Sequence, residues 1–526
     1  MHAKPPNIVM ILADDLGYGD LGIYRHPYAR TPSINRLARQ GTRFTQFYVT
    51  GVSCSPSRTG FMTGRYPASF GQLTKNRGFD DSATVTELLA RNGYRTGHFG
   101  KWHIGPVDRD GTYGIFEIEK GTVRRNDPAG RDADIFAAAI EFIENNKDAP
   151  FYVNIWGHIT HNPIDPPAAL VESFREFDFN RGDFGFWAQE KFDKSQFLID
   201  KYRLQDDLAM AMRKYLSEIW ALDLQVGLLL EKLDELGLRG RTLVVFASDQ
   251  GPASPFGGDK GYNRNIKIPD IRKNNLGYSG GLRGGKHNEY EGGVRSPFII
   301  RWPGKVPAKR INRSSVISAV DVLPTICAIA GIDVDPVAER LDGEDVSDIW
   351  LGSDRRRSGS IFWKKATNNS GLAMRSGDWK ILDRGGRYEL YNLADDPFER
   401  NDLAGSRQDV VDRLSLEISS WLATLPESHA TGRVKSPESP VADAGPDQTI
   451  INDDERGKVW VKLDASGSRD PDGFLSGYVW LLDGEQIAVS QSPFVRLPPG
   501  EHRITLRVTD YANRTATDQV LVSVVR

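Results

Sequence analysis

At 526 residues the chain is too long for one compact core, so two or three domains are expected. A formal net charge of -3, from 67 basic and 70 acidic residues, argues against a general polyanion-binding surface and against a nucleic-acid partner, while leaving room for a local basic pocket. The only two cysteines, Cys54 and Cys327, exclude a disulfide framework, and no apolar run reaches the length of a membrane span.

Asn7-Ile8-Val9-Met10-Ile11-Leu12-Ala13 is a short continuous apolar run, which predicts a strand buried on both faces. No charged-then-apolar leader precedes it; the chain as written reads as cytoplasmic, or as periplasmic or secreted after removal of a signal. The run ends in Asp14-Asp15 and a glycine-rich loop, Gly17-Tyr18-Gly19. Thr31-Pro32 starts a helix, and Thr84 to Asn92 reads as a second, stopped by Gly93. A strand from Tyr94 to Phe99 delivers Lys101 and His103, and another from Phe151 to Trp156 delivers His158 and His161. Leu216, Ile219, Trp220, Val226, Leu230 and Leu233 fall near a helical period, so a long helix precedes the strand Leu243 to Ala247, which ends at Asp249. Cys327, within Val322 to Ala330, reads as a core cysteine on a helix. Alternating strands and helices predict an α/β fold, a mostly parallel sheet with helices on both faces. In such sheets ligands bind beyond the carboxyl ends of the strands, where most of these charged residues fall.

From about residue 355 the pattern changes to short strands at Ile361 to Lys364, Leu372 to Arg375, Trp379 to Leu382 and Glu389 to Leu393, then a helix from Gln408 to Leu422. A linker rich in Pro, Ser, Gly and charge follows. Beyond it Val459, Val461 and Leu463 alternate with other residues, as do Ile504, Leu506 and Val508, and Val520, Val522 and Val524. Asp470-Pro471-Asp472-Gly473 is a turn, and Trp480 on a central strand can fill a sandwich core without a disulfide. The expected units are 1–354, an antiparallel-sheet subdomain at 355–426, a linker at 427–442 and an all-β sandwich at 443–526.

Cys54-Ser55-Pro56-Ser57-Arg58 spells C-x-P-x-R. Around it stand Asp14-Asp15, Gly100-Lys101-Trp102-His103, His161-Asn162-Pro163, Ser248-Asp249-Gln250-Gly251 and Gly285-Lys286. Singly, each has an ordinary explanation: a turn aspartate, a solvated lysine, a satisfied imidazole, a buried thiol beside a turn proline. Together, over roughly residues 7 to 425, they resemble the formylglycine-dependent sulfatases of the alkaline-phosphatase superfamily. Ser376-Gly377-Asp378-Trp379-Lys380 and Leu390-Tyr391-Asn392-Leu393 resemble the small closing subdomain of that family. Ala444-Gly445-Pro446 and Pro499-Gly500-Glu501-His502 resemble PKD-type, immunoglobulin-like modules, read here as a spacer.

The resemblance implies that a formylglycine-generating enzyme oxidises Cys54, with Pro56 and Arg58 as recognition residues. The hydrated aldehyde then offers two hydroxyls; one attacks sulfur and expels the alcohol, and the other, once deprotonated, ejects sulfate. It implies a divalent cation, Ca²⁺ ahead of Mg²⁺, on Asp14, Asp15, modified Cys54, Asp249 and Gln250. Gln250 is a departure, because the family most often has Asn or His there; its carbonyl sits on a longer arm. Lys101 and Lys286 are implied to flank the sulfate, and Gly100 and Gly285 permit close approach. His103 matches the base for the second hydroxyl, and His161 the group that contacts sulfate and protonates the leaving oxygen. Arg58 is implied to hold the modified side chain. His158 reads as structural, and Glu291-Gly292-Gly293-Val294-Arg295 as the builder of the loop that carries Lys286.

The expected substrate is a sulfated carbohydrate or a small sulfate ester. Phe174 to Phe192 and the insertion 253–280 are candidate cleft walls, since aromatic faces suit sugar rings and arginines suit sulfates. An aryl sulfatase, a phosphonate monoester or phosphodiester hydrolase on the same scaffold, and a dead scaffold that binds glycan stay open. So does oligomerisation. Every catalytic motif lies no later than Arg295, so the tail is expected to be separable from catalysis.

Overall fold

The computed structural model describes residues 5–70, 74, 78–79, 81–107, 111–119, 121, 127–257, 269–364, 371–384, 387–426, 439–452, 457–469, 475–489, 491–510 and 514–525. Most of the expected linker, the turn Asp470 to Gly473 and the centre of the 253–280 insertion lie outside these residues. Among the described residues no helix is long and apolar enough to cross a membrane.

Nine strands form the main sheet: β1 (Asn7–Ala13), β2 (Thr42–Tyr48), β3 (Arg95–Gly100), β4 (Glu117–Glu119), β5 (Phe151–Trp156), β6 (Thr242–Ser248), β7 (Arg295–Arg301), β8 (Arg310–Asn312) and β9 (Ile317–Ser318). Their order is β4-β3-β5-β1-β6-β7-β2-β8, with β9 also on β2. All neighbours are parallel except that β7 runs against both β6 and β2. β1 shows why the sheet is central. Ile8, Met10 and Leu12 point into the core on one face, and Val9, Ile11 and Ala13 into the core on the other. The long helix Leu208–Glu235 covers the second face, burying Leu216, Ile219, Val226 and Leu233. The helix Val85–Arg91 starts with a reciprocal cap, Thr84 with Glu87, and Gly93 follows at φ 85°. Cys327 is buried in the helix Val322–Ala330.

The segment after residue 360 makes an antiparallel sheet, β10 (Ile361–Lys364), β11 (Leu372–Ser376), β12 (Trp379–Asp383) and β13 (Tyr388–Asn392), backed by the helix Gln408–Leu422. Trp363, Met374, Ile381 and Leu390 share one core with the first face of the main sheet. A closed ion cluster fastens the two. Lys380 Nζ lies 2.9 Å from Glu291 Oε1 and 2.9 Å from Glu399 Oε1, and all three side chains are 0 % exposed. Arg295 Nη1 is 3.3 Å from the same Glu291.

The tail adds β14 (Gln448–Ile451), β15 (Val459–Lys462), β16 (Leu475–Leu482), β17 (Glu485–Ala488), β18 (Phe494–Leu497), β19 (Gly500–Asp510) and β20 (Thr515–Val525), folded as a five-stranded sheet, β14-β20-β19-β16-β17, against the pair β15-β18. Trp480, on β16 (Leu475–Leu482), is fully buried in its core. The sandwich touches the catalytic unit beside β4: Trp460 and Phe494 pack on Phe116 with ring centroids 4.6 and 5.4 Å away, and Phe494 N donates to Gly111 O at 3.3 Å.

Candidate active site

The charged residues gather beyond the C-terminal ends of β1, β3, β5 and β6. Asp14 and Asp15 follow β1 directly; Asp15 takes a left-handed backbone, φ 65°, which a short polar side chain tolerates. Cys54 is the first residue of the helix Cys54–Thr63. Three distant segments fix the approach to it. Val49 N donates to Val294 O at 2.9 Å, His287 N to Val52 O at 2.7 Å, and Trp363 Nε1 to Val49 O at 2.6 Å. A side chain at Gly51 would meet the Pro56 ring at 2.5 Å, so the loop before the helix requires glycine.

Cys54 Sγ sits at the centre. It is 3.3 Å from Asp14 Oδ1, 3.3 Å from Gln250 Nε2, 3.5 Å from Lys286 Nζ and 4.0 Å from Asp15 Oδ1. Lys101 Nζ is 2.6 Å from Asp14 Oδ2, and Lys286 Nζ is 2.7 Å from Asp15 Oδ1. Arg58 is wholly buried over the Trp156 ring; its Nε and Nη2 both lie 2.9 Å from Asp249 Oδ2, and Nη1 donates to Lys101 O. Asp15 N donates to Asp249 Oδ1 at 3.1 Å. His161 Nε2 is 3.9 Å from Asp15 Oδ2, and its side chain is 40 % exposed, so the cluster opens to solvent on that side.

Ligand atoms of Asp14, Asp15, Cys54 and Asp249 all lie within 4.8 Å of one another. Gln250 is buried beside them, its amide nitrogen bonded to Asp15 while its Oε1 finds no donor. An acceptor left bare in a nest of hard carboxylate oxygens fits a divalent cation of the Ca²⁺ or Mg²⁺ kind.

Electrostatics follow from burial. It pushes the Cys54 thiol up, and Asp14, Asp249 and Asp15 push it further, so an unmodified thiol stays protonated near neutral pH. Burial also raises Asp249 to about 6, with Arg58 opposing. Burial works against Asp14 too, but Lys101, His161, Arg58 and Lys286 outweigh it and hold that carboxyl well below the usual range. For Lys286 burial is outweighed by Asp15, and for Lys101 by Asp14, so both ammonium groups are held above the ordinary lysine range.

The structure thus brings together Asp14, Asp15, Cys54, Arg58, Lys101, His161, Asp249, Gln250 and Lys286. His103 leaves β3 on the same loop as Lys101, two residues on, half-buried with φ 63°. His158 is structural: its Nδ1 lies 3.2 Å from Asp132, which also accepts from the backbone of His158 and Ile159. The Phe174 to Phe192 segment is corrected as a cleft wall. Phe174, Phe184 and Phe192 are buried in the core around the long helix, and Arg181 pairs with Asp193. Toward the loop of Lys286 the segment turns Trp187, under Arg283 at 5.0 Å with Nε1 donating to Phe398 O at 2.9 Å, and Lys191, whose Nζ donates to Gly277 O. Asp20 was missed. It accepts from Gly17 N, Tyr278 N and the Tyr215 hydroxyl, all within 2.7 Å, and so moulds the turn after Asp15. Its place just past the glycine-rich loop was the available signal.

Residues 6–332 match the family described as Sulfatase, and residues 285–424 match the C-terminal region of N-sulphoglucosamine sulphohydrolase. Arylsulfatase A of Homo sapiens is 32 % identical over 414 residues, covering 69 % of this chain and 71 % of its own length. N-acetylgalactosamine-6-O-sulfatase of Bacteroides thetaiotaomicron is 28 % identical over 488 residues, 79 % of this chain and 92 % of its own. In fold, the crystal structure of Ps i-CgsB in complex with k-i-k-neocarrahexaose aligns with a TM-score of 0.64 at 24 % identity, over 81 % of this chain and 94 % of that one.

Proposed function

Because the chain belongs to the sulfatase family, we propose that it desulfates a carbohydrate, with Cys54 in its formylglycine form as nucleophile and a divalent cation, Ca²⁺ first, held by Asp14, Asp15, Asp249 and Gln250. Sulfuric-ester hydrolysis itself follows from the family. The observation that carries the mechanism is the position of Cys54: one small side chain touched by two carboxylates, an amide and an ammonium, at the mouth of a sheet.

An aldehyde hydrate at position 54 supplies an oxygen nucleophile and a second hydroxyl through which sulfate leaves. A divalent cation there supplies charge that draws electrons from the sulfate oxygens. The rest falls to the chain. Arg58 orients Asp249 and supports residue 54 from below. Lys101 and Lys286, already charged and partly exposed, bind the sulfate oxygens from two sides. His161, at the open side, contacts sulfate and gives a proton to the departing alcohol oxygen; His103 takes the proton from the second hydroxyl. The carbohydrate reading is supported by the N-acetylgalactosamine-6-O-sulfatase among the relatives and by the arginine and aromatic side chains around Lys286, Arg283 and Trp187 among them. The tail acts as a spacer.

Peptide mass analysis after co-expression with a formylglycine-generating enzyme is expected to show position 54 losing its thiol and gaining an aldehyde. An intact thiol throughout an active preparation overturns the mechanism. Turnover of sulfated glycans and an aryl sulfate above that of a phosphonate ester is expected; the reverse order moves the chain to phosphonate or phosphodiester hydrolysis.

A further inference from the structure

A second, basic groove runs beside the catalytic unit. β2 and the segment 313–316 form one wall, and the turns 354–360 and 375–378 with Phe398 form another, enclosing about 1210 Å³. None of the residues that meet at Cys54 lines it. Eight arginines face it against three carboxylates, in a chain whose net charge is -3. The positive charge is therefore a local concentration and no reflection of overall composition.

Half of those arginines are committed to the fold. Arg355 binds Asp348 and Glu344, Arg357 binds Asp321, Arg295 binds Glu291, and Arg375 holds Gln46 and the Tyr48 hydroxyl. The other four, Arg25, Arg43, Arg313 and Arg356, make no ion pair with any described residue. Arg43 lies over the Tyr24 ring at 5.1 Å, and its buried Nε has no acceptor. Two of the three carboxylates are already engaged, Asp354 by Arg310 at 2.9 Å and Glu417 by the Ser360 hydroxyl. Tyr18, Tyr24 and Tyr278 also line the walls, with Arg295 and Arg43 stacked on the first two rings.

Guanidinium forks match the paired oxygens of sulfate and carboxylate, and aromatic faces match the apolar faces of sugar rings. The groove is also larger than the roughly 300–1,000 Å³ of a small-molecule site. It borders the catalytic loops as well: Tyr18 stands three residues after Asp15, and Leu282 four before Lys286. We propose that this groove binds a stretch of sulfated polysaccharide, through Arg25, Arg43, Arg313 and Arg356, and tethers the polymer beside the active site. The ligand's identity rests on the carbohydrate reading above; the anionic, ring-bearing chemistry rests on the groove itself. Tethering raises the effective concentration of the remaining sulfate esters without adding chemistry.

The test uses the full chain carrying Arg25→Ala, Arg313→Ala and Arg356→Ala, three exposed positions outside the catalytic cluster. Calorimetry in a Cys54→Ala background compares a heparin-derived octasaccharide, its desulfated counterpart and a single-stranded DNA 20-mer. The triple change is expected to weaken octasaccharide binding by about tenfold or more. Desulfated sugar is expected to bind far more weakly, and DNA no better than the octasaccharide. In the Cys54 enzyme the same change leaves kcat/KM on an aryl sulfate unaltered and raises KM on sulfated polymer. Equal octasaccharide affinity with and without the arginines overturns the groove, even if glycan turnover is normal. Tighter DNA binding through the same arginines also overturns it, in favour of a nucleic-acid surface. Arginine-dependent binding of the octasaccharide without turnover of any glycan upholds the groove and refutes the substrate reading alone.

Discussion

The cluster at Cys54 and the cluster at Lys380 are made of the same materials, carboxylates set against lysine and arginine out of water. They finish differently. Around Lys380 all three side chains are 0 % exposed and each carboxylate meets its ammonium at 2.9 Å. Around Cys54 the side chains of Lys101 and Lys286 keep 15 % and 12 % exposure, and that of His161 keeps 40 %. Glu399 Oε1, though 2.9 Å from Lys380 Nζ, and Gln250 Oε1 both lack an aligned hydrogen-bond donor, so exposure makes the difference. A charged network sealed from water is a clamp; one whose cations stay partly exposed is a place for a ligand.

That contrast can be broken in order of effect. Cys54→Ala should cut turnover by on the order of 10⁵- to 10⁶-fold, the scale of losing a nucleophile, with an unchanged melting temperature. A variant that unfolds instead would make Cys54 part of a clamp. Asp249→Ala should lower metal content and activity together, by more than the roughly 10–100-fold that an outer-shell change costs. Full metal occupancy, read by plasma emission, would remove Asp249 from the ligand set. Lys380→Met should do the opposite: destabilise by about 3–5 kcal/mol, because two carboxylates lose their counter-ion, while the folded fraction keeps its kcat. Urea unfolding and active-site titration read the two halves separately.

The smallest effect sharpens the clamp itself. Burial lifts Glu399 from 4.5 to about 7, against the pull of Lys380. The folded state then holds this proton more tightly than the unfolded state does. Its contribution to stability is complete below pH 4.5 and is lost as pH rises through 7. Glu399→Gln should therefore flatten the decline of the urea midpoint between pH 5 and 8 relative to the parent. An equal decline in both proteins would show that Glu399 ionises freely in the fold.

β1, β5 and β6 were legible because strands buried on both faces read as unbroken apolar runs, and their ends then located Asp14, His161 and Asp249. The reversal of β7 was not legible, since strand direction is set by partners far along the chain. Cys54, Arg58 and Lys286 were visible as motif residues. The phenylalanines of 174–192 misled because an aromatic segment has the same composition whether it lines a cleft or fills a core. Lys380 lay in a recognised stretch, yet its partners Glu291 and Glu399 are 89 residues before it and 19 after, and no local spacing joins them. The groove arginines escaped for the same reason: a net charge near zero averages away a patch assembled from four separate segments.

The Trp363 indole, holding the Val49 carbonyl, also sets a schedule. The segment around Cys54 leaves the ribosome some 305 residues before the tryptophan that locks its approach. At roughly 5–20 residues per second, that interval lasts about 15–60 s. Val294 and His287 arrive within it, and the indole that holds the Val49 carbonyl comes last. Once Trp363, Val294 and His287 have arrived, the same residue is sealed at the head of a buried helix. Under the proposed mechanism, modification of Cys54 has an interval before completion of this lock, set by the order in which the sequence is written.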